Sequence, residues 1–283
     1  MKITSPVLFL GVVVFMFACN KKAGQQEDKI YSRHLQEHVN LSIISTPIPD
    51  DKSNLNLLIL NDGQDIAQLR LRDIVDSLYK KDLIKPLVVV AIHTNNRIQE
   101  YGVAGSPDYK NNGTRADKYN AFIDNELYAF IKKKAGVRKF RSVVIAGCSL
   151  GGLSAFDIAW NNADKIDKVG VFSGSFWWRD KDVNAKDYSD EANRILLAKV
   201  KSSRKKPKLQ YWFYAGAKEE DGDRDKDGVI DVIDDTRDLI QIIKDKNITP
   251  SSDIVYKEAA NGTHDYGAWS NAFPSFLIWA VGK

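Results

Sequence analysis

Ser149 stands in the run Gly147-Cys148-Ser149-Leu150-Gly151-Gly152, a G-x-S-x-G pattern that marks its hydroxyl as a candidate nucleophile. A serine hydroxyl attacks a carbonyl at neutral pH only when an adjacent base takes its proton. Where such a serine sits on an elbow between strand and helix, the catalytic residues follow in the order serine, acid, histidine. The chain has four histidines, His34, His38, His93 and His264, and only His264 comes after Ser149. It lies in Asn261-Gly262-Thr263-His264-Asp265-Tyr266-Gly267, a glycine-bearing loop after the strand-like run 253–259, where a base can reach over the end of a sheet. Cys148 next to the serine is not the presented residue of the pattern and reads as a small buried side chain of the turn.

These residues need a scaffold, and the surrounding sequence supplies its outline. A β-forming run over 142–146 enters the elbow and a helical pattern from 150 to about 161 leaves it, with flanking glycines where side chains would collide in so tight a turn. Further strands are expected at 39–45, 55–60, 87–92, 168–172, 209–215 and 253–259. Helical spacing recurs over 66–78, over 119–131 with a stop near Gly136, at 239–243, and from about 269 to 281. Such alternation predicts an α/β fold with a mostly parallel central sheet covered by helices on both faces. The stretch 173–207 is extra material between two strands. It opens Ser173-Gly174-Ser175-Phe176-Trp177-Trp178, just past a strand's carboxyl end, where α/β folds bind ligands. Trp177 and Trp178 are therefore expected either as walls of a substrate pocket or as core beneath the inserted segment.

Residues 1–18 read as a signal peptide: Lys2 gives a positive start, and the apolar run 7–18 is too short to span a bilayer comfortably. The sequence Met16-Phe17-Ala18-Cys19 resembles a bacterial lipobox, which makes Cys19 the expected lipidated residue and residues 19–30 a polar tether. A domain over 31–283, extracytoplasmic and lipid-anchored to a bacterial membrane, is the corresponding expectation. Cys148 is then the only other cysteine, so the domain has no internal disulfide. The formal net charge of +4 is modest, with acids and bases interspersed. The basic run 199–208 reads as a solvated helix end, and nothing beside it suggests nucleic-acid recognition.

Several segments taken in order resemble the putative-esterase branch of the α/β-hydrolases, which includes enterochelin esterase-like and feruloyl esterase-like enzymes. They are Leu60-Asn61-Asp62-Gly63-Gln64, similar to a D-G-Q segment after an early strand; Asn96-Arg97-Ile98-Gln99-Glu100-Tyr101, similar to an R-x-x-E stretch; the elbow; and Gly262-Thr263-His264 with Trp269 five residues on. The likeness runs from about residue 31 to 279 and implies an α/β-hydrolase fold with esterase chemistry. Ester cleavage passes through a tetrahedral intermediate whose oxyanion needs two donors. The N–H of Leu150, the residue after the nucleophile, is one; the resemblance assigns the other to the N–H of Gln64. It also places the triad acid within Gly216-Ala217-Lys218-Glu219-Glu220-Asp221, with Glu219 leading and Glu220 and Asp221 behind it. Arg97 and Glu100 are expected to pair or to position the D-G-Q loop, with contact to an acidic substrate open for Arg97.

A second motif is independent of the first. Asp223, Asp225 and Asp227 hold positions one, three and five of a twelve-residue calcium loop of the EF-hand or dockerin kind. Gly228 supplies the turn at six, Val229 a carbonyl at seven, and Asp231 and Asp234 stand at nine and twelve. A structural Ca²⁺ is expected here, with no organic cofactor. Taken together, the residues predict a serine esterase that works through an acyl-enzyme on a small-molecule or polysaccharide-linked ester, of siderophore or feruloyl/acetyl type. The alternatives are a non-catalytic ligand- or carbohydrate-binding lipoprotein on the same fold, or an acyltransferase.

Overall fold

The computed structural model describes residues 22–283; the expected signal peptide and Cys19 lie outside the described residues. Eight strands form one sheet in the order β1-β2-β4-β3-β5-β6-β7-β8. β1 (Gly24–Ser32) and β2 (Glu37–Ser45) are antiparallel to their neighbours. β3 (Asn56–Leu60), β4 (Leu87–Ile92), β5 (Val143–Cys148), β6 (Lys168–Phe172), β7 (Gln210–Gly216) and β8 (Ile254–Ala259) run parallel. The expected α/β-hydrolase architecture is thus present.

The central strands read as unbroken apolar runs because both faces are covered. Successive side chains point to opposite faces of a strand, and two cores follow from that alternation. Leu57 and Ile59, Val143 and Ile145, and Tyr211 and Phe213 face one core. It is closed by the helical stretch α3 (Ala116–Phe122) through a π-helical turn to α4 (Tyr128–Ala135), by α5 (Leu150–Asn161), α7 (Ile195–Ser202) and α8 (Asp231–Asp245). Leu58 and Leu60, Val144 and Ala146, and Trp212 and Tyr214 face the other, under α1 (Leu71–Lys80) and α9 (Tyr266–Val281). Two one-turn helices, α2 (Arg97–Glu100) and α6 (Asp190–Asn193), complete the set among the described residues. Both cores and all eight strands fall within residues 23–283.

One expectation is corrected here. Residues 24–30, read as tether, are most of β1, which pairs with β2 from Gly24↔Ser45 to Ser32↔Glu37. β1 is an edge strand half covered on one face; of its inner positions 24, 26, 28 and 30 only Ile30 is apolar. Polar edge strands resist unwanted pairing, and they leave no hydrophobic stripe to be read.

Candidate active site

The chain passes from β3 outward to β4 and then back across to β5, so strand order reverses between β3 and β5. The crevice at the carboxyl ends of strands beside such a reversal is where open α/β sheets bind ligands. Two loops meet there: 61–64 after β3, and the elbow after β5.

Ser149 adopts φ 55° and ψ −124°, a sparsely populated conformation that costs on the order of 1–3 kcal/mol. Its surroundings impose it. The Ser149 N–H donates to the Phe172 carbonyl at 2.8 Å, tying the turn to β6, while α5 begins at the next residue. A Cβ on Gly147 would lie 2.2 Å from the Gly151 carbonyl oxygen, so only glycine lets strand and helix approach this closely.

His264 Nε2 lies 3.0 Å from Ser149 Oγ, and His264 Nδ1 lies 2.8 Å from Glu219 Oε2. The three residues expected to act together are therefore in contact in the order serine, histidine, carboxylate. Among the three acids considered, Glu219 is the partner. Glu220 instead accepts the Val232 N–H at 2.8 Å near the start of α8. The Glu219 carboxylate is 1% exposed, and its second oxygen accepts the Gly216 N–H at 2.5 Å and the Ser173 hydroxyl at 2.6 Å. Ser173 Oγ in turn accepts the indole N–H of Trp269 at 2.8 Å. The Trp269 ring stands edge-on to the His264 imidazole, 5.1 Å between centroids. Serine, tryptophan, histidine and glutamate thus close a ring around the acid. Asp265 accepts the Ala268 N–H at 2.9 Å as the N-cap of α9, which fixes His264 just before the helix starts. The loops after β7 and β8 are laced together by Ala217 N–H to Ala259 O and Lys218 N–H to Gly262 O, both 2.9 Å.

Gln64 lies on the one-turn 3₁₀ helix Gly63–Asp65, and Leu150 is the first residue of α5. First-turn amides have no acceptor within their own helix, so both N–H groups are available to an external oxygen. The loop carrying Gln64 is strapped down on several sides. Asn61 Nδ2 donates to the Gly151 carbonyl at 2.8 Å and Asn61 Oδ1 accepts the Tyr119 hydroxyl at 2.9 Å; the Asp62 N–H donates to Tyr101 Oη at 2.8 Å. Arg97 clamps the Asp62 carboxylate through Nε at 2.7 Å and Nη2 at 3.1 Å, with its guanidinium over the Tyr101 ring. Positioning of the D-G-Q loop by Arg97 is therefore present, and a pair with Glu100 is not. Glu100 points inward, 3.7 Å from Arg115; the nearer, bidentate partner Asp62 takes the guanidinium instead.

The two tryptophans part company. Trp177 is 37% exposed, two residues beyond Ser175, whose hydroxyl lies 3.4 Å from that of Ser149. Trp178 is 1% exposed, donates its indole N–H to Ser106 O at 3.3 Å, and packs against Gly102 and Gly113. Of the expected pocket walls, Trp178 is corrected to core, with Trp177 lying outside it at 6.3 Å between ring centroids. Cys148 is buried and its thiol is pushed well above the ordinary range by that burial, with Asp62 adding to it, so no thiolate competes with the serine.

Ser173, Ser175 and Asp62 were not picked out as functional by sequence reasoning. Ser173 and Ser175 sat in the stretch singled out for its tryptophans; only contact across the sheet reveals their roles.

Ligand oxygens of Asp223, Asp225 and Asp227 all lie within 4.8 Å of one another. Gly228 holds φ 92°, and its N–H donates to the Asp223 carboxylate at 3.0 Å. Burial and the charges of Asp227 and Asp225 push the Asp234 carboxyl up to about 6, while the close group itself is Asp223, Asp225 and Asp227. Asp231 does not share it: one oxygen accepts the Arg224 N–H at 2.9 Å and the other pairs with Nη1 of Arg224 at 2.9 Å. The donor set of hard carboxylate oxygens around a glycine turn fits a calcium ion, with Asp231 drawn off by the arginine at position two.

Among known proteins the chain is 23% identical over 239 residues to the uncharacterized protein YbbA of Bacillus subtilis, covering 82% of this chain and 88% of that one. Among solved structures, the enterobactin esterase FES of Shigella flexneri superposes with TM-score 0.69 at 21% identity, over 90% of this chain and 59% of that protein, so this chain spans about three-fifths of its length. A ferulic acid esterase superposes with TM-score 0.68 at 15% identity, covering 93% of this chain and 98% of that one. These superpositions establish the fold. The sequence pattern of one family runs through β2 to α9, elbow, D-G-Q loop and histidine loop included. Matching it over residues 32–280, this chain belongs to the putative esterase family.

Proposed function

We propose that this protein is a serine esterase. The observation that carries the reading is the contact array on a strained elbow: Ser149 Oγ at 3.0 Å from His264 Nε2, and His264 Nδ1 at 2.8 Å from the buried Glu219. In this reading His264 takes the hydroxyl proton as Ser149 attacks the ester carbonyl. The oxyanion accepts the N–H groups of Leu150 and Gln64, and the alkoxide leaves with the proton from His264. Water, activated by the same histidine, then releases the acyl group from Ser149. Glu219 holds the Nδ1–H tautomer and stabilises the imidazolium.

The substrate we propose is an ester whose acyl part carries an aromatic ring, of siderophore or feruloyl type. An exposed Trp177 two residues past Ser175, which neighbours the serine, supports it, as do the names of the enterobactin and ferulic acid esterases whose fold it shares. Fluorophosphonate labelling with the modified residue mapped by mass spectrometry tests the chemistry. Stoichiometric label on Ser149, lost in His264→Ala, is expected; folded protein that takes no label refutes the reading.

We further propose that Asp223, Asp225, Asp227 and Asp234, with the Val229 carbonyl, hold a structural Ca²⁺, which when bound neutralises crowded carboxylates. The segment it would fix follows Glu219 directly. Thermal unfolding with calcium and with chelator decides: a Tm raised by calcium in the wild type and not in Asp223→Asn is expected, and a Tm indifferent to both overturns it. Anchoring through a lipidated Cys19 outside the cytoplasm remains our reading of the sequence, tested by mass spectrometry of the mature N-terminus. No helix among the described residues is long and apolar enough to cross a membrane.

A further inference from the structure

The end of the sheet opposite the catalytic loops has a chemistry of its own. Strand register aligns the starts of the parallel strands in one row: Asn56↔Leu87, Leu57↔Val143, Val144↔Lys168, Lys168↔Gln210 and Tyr211↔Ile254. Two of the connections that enter this row are strongly cationic. Residues 138–141, before β5, carry three cations and no acid; residues 204–208, before β7, carry four and no acid. Asp50, Asp51, Asp82, Asp164, Asp167 and Asp253 are the counter-charges nearby, and Asp82 pairs with Lys283. One loop at the opposite end has the opposite sign: residues 219–227 hold six carboxylates and two cations.

Within the basic end lies a groove of about 600 Å³ whose lining includes Lys85, Arg141, Lys168, Lys283 and Trp279, with Asp167 the single acidic side chain. Among the described residues Lys85, Arg141 and Lys168 have no carboxylate within ion-pair distance. Lys168 donates to the Trp279 carbonyl at 3.2 Å and lies over its ring at 5.1 Å. Burial, with the charge of Lys85 next, holds its ammonium below the ordinary lysine range, so an anion entering the groove relieves repulsion. The Ser142 hydroxyl lines the same groove, buried and without a hydrogen-bond partner. Two of the few exposed large apolar side chains, Leu83 and Ile278, each 42% exposed, also stand at this end. Finally, β1 starts here: Gly24 pairs with Ser45, which pairs with Val88 beside the row. Residues 1–21, with their apolar run and Lys21, join the fold at this same end.

Cations interspersed with exposed apolar side chains are the composition of a surface that lies on anionic lipid. We propose that this basic end of the sheet is the face the protein lays on an anionic membrane surface, with a lipid headgroup phosphate in the Lys85–Arg141–Lys168 groove. The catalytic crevice then opens away from the bilayer. The inference does not depend on Ser149 being a nucleophile or on Cys19 being lipidated, because the folded domain itself carries the face.

The test is co-sedimentation of residues 22–283, which contain both cores and the whole sheet, with vesicles of phosphatidylglycerol and phosphatidylcholine in equal parts. Binding at low salt, lost at high salt and absent with phosphatidylcholine alone, is expected. Lys85→Gln with Arg141→Gln should weaken partition roughly thirtyfold, about fivefold for each cation removed. Ile278→Ser should weaken it severalfold, and Lys110→Gln on the far side should not. Circular dichroism confirms that each variant is folded. The proposal is overturned by failure to sediment, by equal binding to neutral vesicles, by binding that the double variant leaves intact, or by capture on heparin without capture on vesicles. Release from vesicles by millimolar inorganic phosphate would instead make the groove a site for the free ion and overturn the bilayer assignment.

Discussion

Replacing Ser173 by alanine tests whether the ring around Glu219 holds the acid. Two hydrogen bonds vanish. The 2.6 Å bond from Ser173 Oγ to the Glu219 carboxylate is charge-assisted, a class that contributes about 1.5–3 kcal/mol. The second loss leaves the Trp269 indole N–H, now paired at 2.8 Å in the interior, without an acceptor, at a cost of about 1–3 kcal/mol. These terms share an atom and do not simply add, so a stability loss of about 2–4 kcal/mol is expected. At this chain length that lowers Tm by roughly 5–15 °C. Catalysis suffers less, because Glu219 keeps Gly216 N–H and His264 Nδ1. A fall in kcat/KM of about 5–30-fold is expected, far short of the roughly 10⁴-fold cost of disabling a triad acid. Trp269→Phe keeps a ring edge-on to His264 but removes the donor, and its effect should be largely absorbed in the double variant. The assay is hydrolysis of a p-nitrophenyl ester beside thermal unfolding. A Ser173→Ala protein with wild-type kcat/KM and Tm would show that the ring does not hold the acid.

Ser149→Ala should lower turnover on the order of 10⁴-fold or more with Tm essentially unchanged, read by the same ester assay; residual turnover near wild type would place the nucleophile elsewhere. Gly63→Ala would bring a Cβ within 2.7 Å of the Ala91 carbonyl group and of His93. Displacing the Gln64 donor should lower kcat about 10²-fold with little change in KM, and a larger effect on KM would argue against an oxyanion role. Burial, opposed by Arg115 and aided by Glu37, pushes the Glu100 carboxyl from 4.5 up to about 7. The folded state therefore keeps a proton that the unfolded chain releases, and stability falls as pH rises between those values, then levels off. Glu100→Gln lacks this fall, so its Tm advantage over the wild type should grow from pH 5 to pH 8; parallel Tm curves would refute the assignment.

Ser149 and His264 were legible because elbow chemistry fixes residue types in a short window and chain order eliminates the other histidines. Glu219 came from resemblance, since three adjacent acids are equivalent until the loop is folded; only the turn after Gly216 directs one of them to the imidazole. The Ser173–Glu219–Trp269 ring was out of reach because its members are 46 and 96 residues apart and no local period encodes such contacts. Arg97 and Glu100, three apart, have the spacing of a helical ion pair, yet a tertiary carboxylate outcompeted the local one. At β1 the signal itself was missing: an edge strand with a single inward apolar residue is indistinguishable from a linker by composition.

The lacing of the loops after β7 and β8 has a mechanical consequence. Hydrogen bonds from Ala217 to Ala259 and from Lys218 to Gly262 make Glu219 and His264 travel as one body, whereas Ser149 hangs from β5 and is tied to them through the end of β6. Thermal breathing of the sheet's carboxyl end is therefore taken up at the serine–histidine gap before it reaches the histidine–carboxylate contact. Heated below its unfolding transition, the molecule should idle with His264 and Glu219 still engaged and Ser149 out of range, and regain its rate on cooling without refolding.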